Sequence, residues 1–246
     1  MDINAFENAK EKIIGKDRQR LGIGTLSEKT IHAIVKNFYE PDEDCQEIPI
    51  ENYVADIYHN GEIIEIQTRQ FNKLRNKLSA FLPLYPVTIV YPIAHEKWII
   101  WIDETTGELS TPRKSPKKGT EYAAFPELYK IKMFLKDPNI RFRFLLMDLN
   151  EYKLLNGWSD DKKKGSTRYD RIPTNLVREI EIDRIEDYMQ FIPYNLEEEF
   201  TVADFAKVAR IPKKLAGTVL HILHYLGLID YIGKKGRAYL YRIHDL

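Results

Sequence analysis

Residues Tyr53 to Thr68 read YVADIYHNGEIIEIQT and carry the strongest local signal in the chain. Asn60-Gly61 between two alternating runs is the pattern of a two-residue type I′ turn, because both central positions need positive φ. Such a turn sets the register. His59 then faces Glu62, Tyr58 faces Ile63, Ile57 faces Ile64 and Asp56 faces Glu65. Side chains alternate along a strand, so Asp56, Glu65 and Gln67 share one face and Ile57, Ile64 and Ile66 the other. Two opposed carboxylates repel and weaken a bare hairpin. A hard divalent cation between them turns repulsion into coordination, since Mg²⁺ takes carboxylate oxygens with water and phosphate. A shifted register with a solvated polar face would also remove the conflict, and both readings stand at this level.

The hairpin's surroundings read as a mixed α/β layer. Gln46–Ile50 is a short strand, turned at Glu51-Asn52 into the hairpin. Downstream, residues 69–82 carry Phe71, Leu74, Leu78 and Phe81 at helical spacing, ended by Pro83 and Pro86. Lys73 and Lys77 flank that stripe. Such lysines are ordinarily a solvated rim with stems along the core edge. Residues 87–91 (VTIVY) are a β-branched run fit for a strand buried on both faces, and 97–102 (KWIIWI) read as its partner. Helix is expected over 121–136 and strand over 141–148. Residues 110–120 (STPRKSPKKGT) and 162–168 (KKKGSTR) are basic loops, ordinarily solvated surface and otherwise phosphate contacts.

Upstream, helix is expected over 4–14. Thr25-Leu-Ser-Glu28 has the form of a capping box opening a helix that buries Ile31, Ile34, Val35 and Phe38. Glu28 therefore has a structural role available. As the i, i+4 neighbour of His32 it could also point into a site.

The last 54 residues, 193–246, have a different grammar. Thr201, with Asp204 three positions later, caps a helix over 202–209. Ile211-Pro212 turns into a second helix that ends at Gly227. A β-hairpin with a basic tip, Gly233-Lys-Lys-Gly236, follows. Helix, turn, helix and hairpin is the layout of a winged helix-turn-helix. His221 and His224 on the second helix lack a further ligand set and read as ordinary helix residues.

Composition bounds the function. The chain has 246 residues, 43% of them hydrophobic, enough for a real core. Lys plus Arg and Asp plus Glu number 37 each, so any basic footprint must be local. One cysteine, Cys45, excludes a disulfide framework and a Cys-rich zinc site. Its acidic neighbours raise its pKa and argue against catalysis. No signal-type or membrane-spanning stretch is seen, so a soluble cytoplasmic protein is expected. Phosphate-loop, nucleophile-elbow and dinucleotide fingerprints are missing.

The order of elements resembles the PD-(D/E)xK, restriction-endonuclease-like nuclease superfamily over Gly24 to Tyr91. It runs helix with Glu28, strand, strand with Asp56, strand with Glu65 and Gln67, helix, strand. The tail resembles winged-helix domains, and the whole chain looks like a prokaryotic family joining the two. The resemblance implies a mixed central sheet flanked by helices in residues 1–192 and a small winged helix in 193–246. It implies Mg²⁺ or Mn²⁺ held by Asp56, Glu65, the Ile66 carbonyl and Glu28, and hydrolysis of DNA phosphodiester bonds. Two positions depart from the family pattern. Ala55 replaces Pro, and Gln67 occupies the usual Lys position, as in an E-x-Q variant. Gln67 would orient the attacking water, and Lys73 or Lys77 would supply the missing positive charge. Lys213 and Lys214 would approach duplex DNA, with Lys234, Lys235 and Arg237 on its phosphates. The alternatives are an inactive core serving DNA binding or regulation, and a tail that pairs two copies into a homodimer.

Overall fold

A computed structural model describes residues 2–19, 30–157 and 167–244. The protein is an α/β chain with a large mixed sheet flanked by helices. Its elements begin with α1 (Ile3–Gln19), which runs past Gly15 where helix was expected to stop, and α2 (Thr30–Tyr39). The capping-box stretch with Thr25 and Glu28 lies outside the described residues. Then come β1 (Gln46–Ile50), β2 (Tyr53–His59), β3 (Glu62–Ile66), α3 (Arg75–Phe81), β4 (Val87–Ile102) and β5 (Arg113–Lys114). They are followed by α4 (Phe125–Lys130), β6 (Ile140–Leu154) and β7 (Thr167–Ile182). The order in the sheet is β1-β2-β3-β4-β6-β7, with β5 beside β4.

The turn at Asn60-Gly61 has φ of 50° and 81°, the doubly positive pair that a type I′ turn requires. β1 and β2 are antiparallel with Ile48 across from Ala55, whereas β3 and β4 are parallel with Glu65 beside Ile89, so the sheet is mixed.

Three expectations need correction. Residues 87–102 are one strand, not a strand and its partner. Pro92 lies within it, beyond the last pair of the β3 ladder, Ile66↔Val90, so its missing N–H costs that ladder nothing. The helix expected over 69–82 opens instead as a 3₁₀ turn, Phe71–Leu74, after Gln70 in the left-handed region at φ 60°. The helix expected over 121–136 is split into 3₁₀ turns at Glu121–Ala124 and Lys132–Phe134 around α4.

The chain divides into two compact units. One comprises Met1–His59, Pro92–Thr120 and Leu145–Glu179; the other comprises Asn60–Tyr91, Glu121–Phe144 and Ile180–Leu246. The first buries Phe6, Ile31, Ile34, Val35, Ala55 and Ile57. Phe6 of α1 meets Phe38 of α2 edge to face at 5.7 Å. Gly119 docks on β4 so closely that a Cβ there would lie 2.0 Å from the Ala94 carbonyl oxygen. Only glycine allows the Gly119 N–H to reach the His95 carbonyl at 2.7 Å.

The second unit is built on an aromatic cluster. Phe125 and Phe191 meet edge to face at 5.0 Å, and Tyr122 lies against Phe191 and Phe205. Its C-terminal part contains β8 (Glu199–Thr201), α5 (Val202–Val208), α6 (Lys213–Leu226), β9 (Ile229–Lys235) and β10 (Ala238–Ile243). Thr201 and Asp204 close the expected capping box, and Gly227 ends α6 at φ 85°. The strands form an antiparallel sheet, β8-β10-β9. Its hairpin turns at Gly236-Arg237, so Lys234 and Lys235 belong to β9 rather than to the expected tip. Within this unit Phe205 and α6 pack with the Tyr122–Tyr129 segment.

Candidate active site

The expected acidic residues are described in two settings. In the first unit, β2 alternates buried Ala55 and Ile57 with half-buried Asp56. α2 buries Ile31 and Ile34 and carries His32 between them. His32 Nε2 lies 3.3 Å from Asp56 Oδ2. An imidazole there neutralises the aspartate when protonated and offers it a nitrogen donor when neutral.

In the second unit, Glu65 on β3 is 3% exposed. A carboxylate that deep needs a charged or hydrogen-bonded partner. Lys77 Nζ from α3 donates to Glu65 Oε2 at 2.6 Å, and the same ammonium lies 5.9 Å from the Phe81 ring centroid. Of the two lysines considered, Lys77 reaches back to the acidic strand, while Lys73 is exposed on the 3₁₀ turn. The left-handed Gln70 and the 3₁₀ turn set the entry to α3.

Gln67 is half-buried, and its Nε2 donates to the Arg69 carbonyl in the bend after β3. Its backbone N–H donates to Val90 at 2.9 Å and extends the parallel ladder. The side-chain amide thus shapes the route from β3 to α3. Ile66 is buried beside Val90. Glu28 lies outside the described residues.

The basic residues of the tail are on its surface. Lys213 and Lys214 are exposed at the start of α6, and Lys234, Lys235 and Arg237 are exposed on the hairpin. Lys234 lies over Tyr239 at 5.6 Å, and Tyr239 meets Tyr231 at 5.3 Å.

Sequence reasoning missed three groupings. His32 was noticed only as a neighbour of Glu28. His95 Nδ1 pairs with Asp148 Oδ1 at 2.9 Å, and Asp148 also accepts the Glu96 N–H. Glu151, 2% exposed on β6, lies within ion-pair distance of Lys97, Lys153 and Arg168. The strand was expected to end at Asp148, which hid Glu151 and Lys153. Lys97 was read only as the start of an apolar run.

These features define a mixed α/β protein with acidic residues on adjacent sheet strands. Residues 29–183 match a family described as "Domain of unknown function (DUF8091)", and the chain belongs to that family. An uncharacterized protein of Treponema pallidum (strain Nichols) is 26% identical over 234 residues, covering 89% of this chain and 87% of that protein. No solved structure matches. No helix among the described residues is long and apolar enough to cross a membrane.

Proposed function

We propose that this chain is a metal-dependent nuclease of the PD-(D/E)xK type, cytoplasmic, with a winged-helix tail that holds DNA. The observation that carries the reading is the 2.6 Å contact between Lys77 and Glu65. It supplies, from α3, the positive charge that Gln67 cannot. The turn supports it as well, since Asn60 and Gly61 have the two positive φ values of the hairpin connection the family pattern needs. The layout β8, α5, α6, β9, β10 with exposed Lys213, Lys214, Lys234, Lys235 and Arg237 supports the winged-helix and DNA reading.

The donors fit a hard divalent cation in type, because the Glu65 carboxylate and the Ile66 carbonyl of the second unit are oxygen, as is the Asp56 carboxylate of the first. Mg²⁺ or Mn²⁺, if held by these residues, would supply a bound water of lowered pKa and offset phosphate charge. The side chains do the rest. Lys77 faces the charge that builds on the phosphate as water attacks and the leaving oxygen departs. His32 holds Asp56. Gln67, tied to the Arg69 carbonyl, fixes the bend that brings α3 and Lys77 back to β3.

The test is cleavage of plasmid DNA with Mn²⁺ by the wild type and by Asp56→Ala, Glu65→Gln and Lys77→Ala. Loss of about 10²-fold or more in each variant is expected. Wild-type-like cleavage by Lys77→Ala would sink the assignment. The runner-up is an inactive core that binds DNA or regulates. Gln67 favours it, because the motif position carries no charge and its amide serves the backbone. Pairing through the tail, which would position two nuclease cores, is a third reading, checked by light scattering of the chain truncated near Pro193: a tail-less protein that stays dimeric removes it.

A further inference from the structure

The Glu151 cluster is the strongest unassigned feature of the first unit. One buried carboxylate gathers three cations from three strands. Lys97 Nζ of β4 is 3.1 Å from Oε2, Arg168 Nε of β7 is 3.6 Å from Oε2, and Lys153 Nζ of β6 is 3.5 Å from Oε1. Only the Lys97 contact is short enough for a good hydrogen bond. The Arg168 and Lys153 contacts hold charge near charge while leaving donor capacity over. Burial pushes the Glu151 carboxyl up, and Lys97, Arg168 and Lys153 together bring it below the usual carboxylate range. Among the described residues the group carries one negative and three positive charges, a net +2. A carboxylate needing only neutralisation would be satisfied by one lysine.

Aromatic rings stand beside these cations. Lys153 lies 5.7 Å from the Trp101 ring centroid. Lys114 lies 5.3 Å from that of Trp98 and pairs with Glu96 at 2.6 Å. The basic loop is fixed to the strand, since Ser115 N–H reaches the Lys97 carbonyl at 2.8 Å. Lys97 and Trp101 are at positions of one parity on β4, and Lys153 of β6 stands beside Trp101; cations next to an aromatic ring suit a phosphate and a base in succession.

We propose that the Glu151 cluster docks the phosphates of a single-stranded nucleic acid, with Trp101 beside it as a stacking platform. Arg168 and Lys153 each take a phosphate oxygen, and Glu151 keeps the array in place. This site is additional to the tail lysines. It extends the nucleic-acid reading above and does not depend on cleavage.

The experiment measures anisotropy of a fluorescein-labelled single-stranded oligonucleotide with the full chain, in EDTA, across a KCl series. A chain that never cleaves DNA gives the same readout. The variant Lys153→Gln/Arg168→Gln, which leaves the Lys97 hydrogen bond intact, should flatten the salt slope by about 1.4, at roughly 0.7 per phosphate. Arg168→Lys should keep its share of the slope. The same decrement should persist in a Lys213→Gln/Lys214→Gln background. Circular dichroism and the melting midpoint confirm that the variants fold. An unchanged slope and affinity in the folded double variant overturns the proposal. So does a cluster whose double variant loses only stabilisation by inorganic phosphate.

Discussion

Glu65 and Glu151 are both strand glutamates, and both are almost wholly shielded, at 3% and 2% exposure. Their partners differ. Glu65 meets Lys77 at 2.6 Å. Glu151 is shared by two lysines and an arginine, a group with surplus positive charge. A buried carboxylate therefore does not announce a cation site by itself. The number of cations around it decides which sign of ligand the place can take. An overloaded carboxylate can only gain from an anion.

The sharpest way to break that contrast is Lys77→Ala. It removes the ammonium from a carboxylate in the interior, and breaking a buried pair costs about 3–5 kcal/mol. Urea unfolding checks it, and a loss below about 1 kcal/mol would mean that the pair is not what holds Glu65 in place. Glu65→Leu/Lys77→Met should recover most of the stability and none of the cleavage, since hydrophobic replacement of a buried pair is often neutral.

Acid unfolding probes the other carboxylate. The folded-state pKa of Glu151 lies below its ordinary value of 4.5. Its contribution is therefore full at neutral pH and is lost only as pH falls below 4.5, through the depressed folded value. Lys97→Gln/Lys153→Gln/Arg168→Gln raises that folded value, so the variant should unfold at higher pH than the wild type. An unchanged acid midpoint would mean that the three cations do not stabilise the ionised form.

The hairpin was legible because Asn60-Gly61 has one economical backbone solution, and the φ angles of 50° and 81° follow it. The cap at Thr201 and the stop at Gly227 were legible for the same local reason. Lys77 was one of two candidates, and helix periodicity could not choose between them. The choice came from Gln70 and the 3₁₀ turn, which displace the start of α3. β4 was misread because its apolar pattern falls into two runs, 87–91 and 97–102, although the backbone stays extended between them. Glu151 was illegible for a deeper reason. Its three cations come from positions 97, 153 and 168, which only the sheet order brings together. Local periodicity contains nothing about that order.

Arg168→Gln is the smallest and most discriminating change. Arg168 is 43% exposed, and two lysines remain on Glu151 without it. Its loss should therefore cost under about 1 kcal/mol in urea unfolding, as for other solvent-screened ion pairs. If it also contacts a phosphate, affinity for a single strand falls roughly fourfold at physiological salt, from one contact's share of the salt dependence. A stability loss approaching that of Lys77→Ala, with unchanged affinity, would make Arg168 a structural strut. The Glu151 cluster would then differ from the Glu65 pair only in size, because its surplus charge would serve the sheet rather than a ligand.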